Sequence, residues 1–390
     1  MSRRDAVDVA VVGGGVVGAA AALAFARDGW SVALVESREP APWSAEAPDL
    51  RVYALAPDAM AVLDTLDVGE SVRHARAPAY RRMEVWDAAG GGALSFDADR
   101  FARRELGWIV ENGLLVDRLW VAVRRESIAL HVPAGVEALE QDDAHASLRL
   151  DDGRRLAARL VVAADGANST LRALAGIDAP THDYAQGGLV AYVDTERALH
   201  ATCYQRFLPT GPLAFLPVDA HRASIVWTLP TEEAARLRAL DDDAFAIALG
   251  DASGGRLGKV RPASARVVVP LRRRLASTCH AGRLVLVGDA AHAVHPLAGQ
   301  GVNLGLRDVA ALRAALPRPG RGADPAAARL ARWARERRSA TARAAYSFEA
   351  INRLFSNDAV APTLLRGIAL GLAGRLPPLQ HALWREAAGL

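Results

Sequence analysis

Residues 6–36 read AVDVAVVGGGVVGAAAALAFARDGWSVALVE, and the fold is decided by this stretch. A short valine-rich run closed by glycines predicts a buried parallel strand. The alanine-rich run that follows predicts a helix, and SVALV predicts a second strand. Gly13, Gly15 and Gly18 fill a G-x-G-x-x-G pattern at the strand-to-helix turn, with Val16 and Val17 opening the helix. The pattern assigns Gly13 to the tight turn, Gly15 to close approach of a pyrophosphate, and Gly18 to helix–strand packing. The helix N-terminus offers unpaired N–H groups and partial positive charge to that pyrophosphate. Glu36 ends the second strand, where a carboxylate accepts from an adenosine ribose.

Two other readings of this stretch fail. Arg3 and Arg4 precede an apolar run, as in a secretory signal, but Asp5 and Asp8 break the charge pattern and glycines crowd its centre. The same acids and glycines argue against a membrane span.

The chain of 390 residues has room for one large α/β domain or two closely joined ones. Its two cysteines, Cys203 and Cys279, are too few for a disulfide framework or a metal cluster and fit a reducing cytoplasm. Net charge is +3, Lys259 is the only lysine, and the arginines are scattered among acids except from Arg313 to Arg343. A nucleic-acid partner is therefore not expected.

Outward from Glu36, a Pro- and Ala-rich connection reads as a surface excursion, and Leu55 to Leu66 as a helix. Residues 83–87 and 93–96 read as a hairpin, and Leu114 to Arg125 as a helix. A strand pair spans 146–164. From Gly187 to Leu229 the pattern has period two, which predicts a mostly antiparallel sheet. Thr231 to Leu249 reads as helical, Ala265 to Leu271 as a strand, and the tail from Arg329 as helical. The expected organisation is a discontinuous nucleotide-binding domain (1–75, 98–182 and 272–335) interleaved with a sheet domain (76–97 and 183–271), then a helical segment (336–390).

Three buried-strand patterns end on acids: SVALV on Glu36, RLVVAA on Asp165, RLVLVG on Asp289. Ligands of open α/β sheets lie beyond the strand carboxyl ends. Three acids delivered to one crevice suit a ligand rich in hydroxyls, so FAD fits better than NAD.

Together, Gly13-x-Gly15-x-x-Gly18, Asp165-Gly166-x-x-Ser169-x-x-Arg172 and Gly288-Asp289-Ala290-Ala291-His292, with Pro296 and Gly299-Gln300-Gly301-x-Asn303, resemble the single-component flavoprotein aromatic hydroxylases. Residues 83–87 (MEVWD), Glu111-Asn112, residues 211–217 (GPLAFLP) and the GDAAH…HPLAGQGVNLGLRD run are similar to the ubiquinone-biosynthesis hydroxylases. The resemblance implies a Rossmann-like FAD-binding domain, a mostly antiparallel substrate sheet and a helical C-terminus. It places Asp289 on the FAD ribitol, Glu36 on the adenosine ribose, Arg51 beside the cofactor, and Asp165 and Arg172 in a motif serving FAD and NADPH. Gly288, Val302 and Asn303 belong to the same cofactor set. Gly299, Gln300 and Gly301 would turn backbone N–H groups to the flavin N1 and C2 carbonyl, with Pro296 beside the reacting ring face. The resemblance also implies transient NADPH, O₂ as co-substrate, and delivery of one oxygen atom to a phenolic ring in a pocket kept dry. Tyr204, Gln205, Phe207 and Phe215 read as its wall. No second strand–glycine–helix unit serves NADPH; Gly254-Gly255 reads as a turn.

His292 and His295 read as loop histidines that hold backbone, with no metal set around them, and Cys203, Cys279, Trp86 and Trp108 as packing residues. The basic run Arg329, Arg332, Arg335, Arg337, Arg338 and Arg343 is either a solvated face or a surface that approaches a membrane. Phe348, Ile351, Leu354, Phe355, Leu364, Leu365, Ile368 and Leu372 are its apolar companion or part of a packed cap. A polyprenylphenol substrate would favour the membrane reading, since each CH₂ moved into water costs about 0.8 kcal/mol. The expected location is cytoplasmic, with a peripheral site on the inner membrane face, partner proteins of ubiquinone biosynthesis and a homo-oligomer left open. The Glu111-Asn112 pair inclines the resemblance toward the C5 or C6 ring hydroxylases. A hydroxylase of a soluble phenol and a non-enzymatic lipid carrier on the same fold are the alternatives; a flavin halogenase lacks its W-x-W-x-I string.

Overall fold

Strand Val7–Val12 runs between Val32–Val35 and Arg155–Ala163, parallel to both. Ile128–His131 and Leu284–Leu286 extend the parallel core on its two sides, and Ala146–Leu150 and Val136–Gln141 add an antiparallel flap. This computed structural model describes residues 6–88, 92–294, 300–316, 327–355 and 377–388. Helix Val16–Arg27 follows the glycine turn and is buried from Gly18 through Phe25. It lies against helices Asn112–Val123 and Gln300–Ala315 as well as the sheet. A helix covered on every side must be apolar all round, and close approach from three directions favours alanine.

Among the described residues the second sheet has nine strands, with Thr181–Thr195 and Arg222–Pro230 antiparallel at its centre. Alternate residues divide its faces. Leu189, Ala191, Leu213, Phe215, Ile225 and Trp227 pack with helices Thr231–Ala239 and Asp242–Ser253. The opposite residues face the nucleotide-binding half. The hairpin Arg82–Asp87 with Ala93–Asp97 joins this sheet through a parallel pairing to Thr202–Leu208. Sequence distance is no guide to membership here.

Residues 231–249 are helical as expected, divided into two helices because Leu240 turns to extended backbone and the Asp241 side chain caps the next helix by accepting from Ala244 N at 2.7 Å. Several expectations need correction. The helix expected from Leu55 begins at Pro57, a residue pre-set for the first helical position. Val52–Leu55 instead pairs with Gly107–Glu111, and Ala79–Tyr80 completes a third, three-stranded sheet. The expected boundary at 335/336 falls inside one helix, Ala327–Phe355.

The connection after Glu36 is more than a surface excursion. Trp43 packs on the main core, and its Nε1 donates to the buried Glu111 carboxylate at 3.1 Å. Asp49 N donates to the same carboxylate at 2.9 Å, and Arg76 pairs with it at 2.6 Å. Tyr192 of the second sheet donates through its hydroxyl to Asp49 O at 2.8 Å. The connection is thereby fixed to both halves of the molecule.

Candidate cofactor and substrate site

The three glycines of the first turn differ in what surrounds them. Gly13 has φ +102°, and a Cβ there would lie 2.3 Å from Ala164 O; at Gly18 it would lie 1.8 Å from Gly13 O. Neither position accepts a side chain. Gly15 faces open space, with nothing within 4 Å of a Cβ. The helix it begins has no side-chain cap and no acid in its first turn, so its N–H groups stay available to an anion. Trp120 Nε1 donates to Gly14 O at 2.7 Å, and Gly14 N donates to Glu36 Oε2 at 2.5 Å. The glycine turn and Glu36 are thus one hydrogen-bonded unit.

The Asp165 turn stands beside it. Leu171 N donates to Asp165 Oδ2 at 3.1 Å, while buried Oδ1 has no partner among the described residues. Arg172 binds backbone carbonyls through its guanidinium. It is 8% exposed and donates to Ala290 O at 2.8 Å and Ala167 O at 2.9 Å, tying this turn to Gly288–Ala290. Burial, then the nearby Arg274 charge, lowers its pKa from the usual guanidinium range.

The third turn rests on a residue the sequence reading did not single out. Asp308, on helix Gln300–Ala315, accepts from Gly288 N at 3.0 Å and lies 2.6 Å from His292 Nε2. Arg337 Nε, on helix Ala327–Phe355, donates to its other oxygen at 2.8 Å. Asp308 and His292 are 1% and 2% exposed. Burial opposes charge on both, but their mutual attraction outweighs it: the His292 pKa is raised and the Asp308 pKa lowered, with Arg337 adding to the latter. His292 therefore holds a turn, as expected of a loop histidine, but through a buried ion pair. Its Nδ1 has no partner among the described residues.

Gly288 (φ +58°) lies against Val17, and a Cβ on Gly305 would meet Val17 at 2.5 Å. Val17 thus marks where the fingerprint helix touches the third turn. Asp289 is half-exposed, with Arg51 Nη2 3.8 Å away. Asn303, fully buried, donates to Ala54 O at 2.9 Å and accepts from Ala56 N at 3.0 Å; its side chain locks the helix to the third sheet. Gly301 faces open space, and Val302 lines the cavity described next. Pro296, Gly299 and His295 lie outside the described residues, as does the side chain of Gln300.

A cavity of about 610 Å³ lies between the third turn, with the start of its helix, and the free face of the second sheet. Arg51, Tyr53, Asp289, Gly301 and Val302 form one wall. The other is largely aliphatic, with Val190, Ala214, Val226 and Val269 among its side chains. Of the four expected wall residues only Gln205 lines it. Tyr204 and Phe215, paired across neighbouring strands, point to the opposite face, where Phe215 is 1% exposed in the helix-covered core. Phe207 shares the Gln205 face but packs farther out with Val85 and Leu94. With a period of two, every second candidate on a strand goes to the wrong side.

The site has features an FAD would use: open space at Gly15 and Gly301, an unpartnered buried oxygen on Asp165, and half-exposed Asp289 beside an apolar cavity. The model for the FAD binding domain family matches residues 6–348. The chain belongs to this family. It is 40% identical over 310 residues to the 3-demethoxyubiquinol 3-hydroxylase of Escherichia coli, covering 78% of each chain. It is 37% identical over 392 residues to a ubiquinone hydroxylase of Rhodospirillum rubrum, covering 100% of this chain and 91% of that one. The fold matches Klebsiella pneumoniae HpxO, complexed with FAD and uric acid, with a TM-score of 0.76, 19% identity and 97% of each chain covered.

Among the remaining expectations, Cys203 and Cys279 are buried and unpaired. Burial raises both thiol pKa values, that of Cys279 to about 12, which leaves them unreactive at neutral pH. Gly254 caps a helix in the left-handed conformation, as a turn residue should. On helix Ala327–Phe355, Leu330, Trp333, Ala334, Thr341 and Ala345 form the buried stripe, with Arg337 among them, while Arg329, Arg332, Arg335, Arg338 and Arg343 are exposed. The side chains of Phe348, Ile351, Leu354 and Phe355, and residues Leu364, Leu365, Ile368 and Leu372, lie outside the described residues.

Proposed function

We propose that this protein is an FAD-dependent monooxygenase that hydroxylates the aromatic ring of a polyprenylphenol on the route to ubiquinone. The observation that carries the reading is a cavity lined on one side by Asp289, Gly301 and Val302 and on the other by a largely aliphatic sheet face, with the Asp165 turn tied to the Asp289 turn through Arg172. The aliphatic wall of such a cavity suits a prenylated ring.

The bound flavin supplies the redox chemistry: NADPH reduces it, O₂ reacts, one oxygen enters the ring and the other leaves as water. The chain's own residues bind and orient. The N-terminus of helix Val16–Arg27 takes the pyrophosphate, Glu36 the adenosine ribose and Asp289 the ribitol. The backbone at Gly301 and Val302, at the start of helix Gln300–Ala315, would face the flavin N1 and C2 carbonyl, where a helix N-terminus favours the negative charge of the reduced ring by about 0.3–1 kcal/mol; the resemblance adds Gly299 and Gln300 to this set. The resemblance assigns the reacting face to Pro296. Arg51 balances Asp289 at the cavity edge.

A prenyl tail keeps its substrate in a bilayer, so the exposed arginines of helix Ala327–Phe355 are proposed to meet an anionic membrane surface or a partner of the same biosynthetic route. Among the described residues no helix is long and apolar enough to cross a membrane.

The test has two parts. The purified protein should be yellow, with bound FAD released on denaturation. Cells lacking it should accumulate a prenylated ring short of one oxygen, and the identity of that ring names the position oxidised. A colourless protein, or unchanged ubiquinone in its absence, contradicts the proposal.

A further inference from the structure

One row across the cavity face of the second sheet reads Val85, Gln205, Ala214, Val226, Val190. Four of its members are apolar, and Gln205 is not. The Gln205 side chain is 7% exposed and makes no hydrogen bond among the described residues. Ser224 and Thr228, 1% and 2% exposed, flank Val226 on the same face and are also without a side-chain hydrogen bond there. All three line the cavity. Across the sheet, the helix-covered face is built from Leu189, Leu213, Phe215, Ile225 and Trp227.

The Gln205 amide opens onto the cavity, and a leucine there would complete the apolar row. The presence of the amide in an aliphatic row points to a partner that arrives with the ligand. Geometry also limits how the three polar groups act. Ser224 and Thr228 lie about 7 Å along the strand from Val226, and Gln205 about 10 Å across two strands from it. One ligand oxygen cannot be shared among groups so spaced. Gln205 has the longest of the three side chains, with two N–H donors and one carbonyl acceptor. Its neighbour Ala214 leaves space above the sheet for the amide to work in.

We infer that Gln205 is the specificity-determining residue that recognises an oxygen substituent on the ring, donating to it and accepting from it when it is a hydroxyl. The inference rests on the reading of this cavity as the substrate site. The prenyl tail meets the aliphatic wall, which discriminates weakly by chain length, whereas an amide left unpaired rejects a ring lacking the oxygen.

The test compares two probes on the oxidised holoenzyme, 2-prenylphenol and prenylbenzene, by the change each causes in flavin absorbance. Wild-type protein should bind the phenol about 10- to 100-fold more tightly than the deoxy analogue. Gln205→Leu should bring that ratio close to one by weakening the phenol and sparing the hydrocarbon. Gln205→Met, of similar length, provides the same readout if the leucine variant folds poorly, with flavin content as the check. Ala214→Trp fills the cavity and should abolish binding of both probes. If both Gln205 variants keep the wild-type ratio while Ala214→Trp abolishes binding, the inference is overturned and the cavity reading survives. If Ala214→Trp binds both probes normally, the cavity reading fails and the inference fails with it.

Discussion

Replacing Asp308 by alanine removes one carboxylate that serves three partners: Gly288 N at 3.0 Å, His292 Nε2 at 2.6 Å and Arg337 Nε at 2.8 Å. None of the three finds water readily, since Asp308 is 1% and His292 2% exposed. Breaking a buried ion pair by removing one member costs about 3–5 kcal/mol, because the other charge stays behind. At about 2.1 cal/mol/K of unfolding entropy per residue, a 4 kcal/mol loss lowers the Tm of a chain of 390 residues by roughly 5 °C. The freed turn carries Asp289, so FAD binding should weaken by tenfold or more, about 1.4 kcal/mol. Calorimetry of the FAD-free protein gives the first quantity and flavin fluorescence titration the second. Arg337→Leu should cost less, because the His292–Asp308 pair and the Gly288 bond survive it. An Asp308→Ala protein with unchanged Tm and unchanged FAD affinity would refute the reasoning.

Further outcomes follow from the same geometry. Gly15→Val should fold, since its Cβ meets nothing within 4 Å, yet lose FAD; Gly18→Ala, whose Cβ would lie 1.8 Å from Gly13 O, should fail to fold, and circular dichroism with flavin content separates the two. Asp289→Ala, at a half-exposed position, should leave stability within about 0.5 kcal/mol of wild type while flavin occupancy drops; full occupancy would count against its assignment. For pH, the lowered Asp308 pKa gives stability that is present above the ordinary carboxylate range and lost as pH falls through the folded value. The raised His292 pKa gives stability that is complete below about 6.5 and lost as pH rises through its folded value. Urea midpoints across pH should therefore peak between the two, and His292→Gln should remove the decline on the alkaline side.

What the sequence made legible was local. The roles of Gly15 and Gly18 depend on backbone within one strand–turn–helix unit, and the open and closed spaces around them match the pattern, while Gly13 is closed off by Ala164 of a distant strand end. The interleaving of two sheets was legible because buried parallel strands and half-buried antiparallel ones differ in periodicity. The alternation also held the signal that Tyr204 and Phe215 point away from Gln205, but which face met the cavity needed the pairing across strands. Asp308 could not be found by spacing: its partners, Gly288, His292 and Arg337, come together only when two helices pack beneath the third turn. The nearest sequence signal was its place at the end of the GQGVNLGLRD run. Arg172 and Asn303 show the other limit, since both are motif residues whose side chains bind backbone rather than face the cavity.

The central claim is that this chain delivers one atom of O₂ to a prenylated ring. Reconstituted holoenzyme, given NADPH, 2-prenylphenol and ¹⁸O₂, should yield a prenylated diol carrying one ¹⁸O, with NADPH consumed in proportion. NADPH oxidation that yields only hydrogen peroxide, or a product whose new oxygen comes from water, would contradict it.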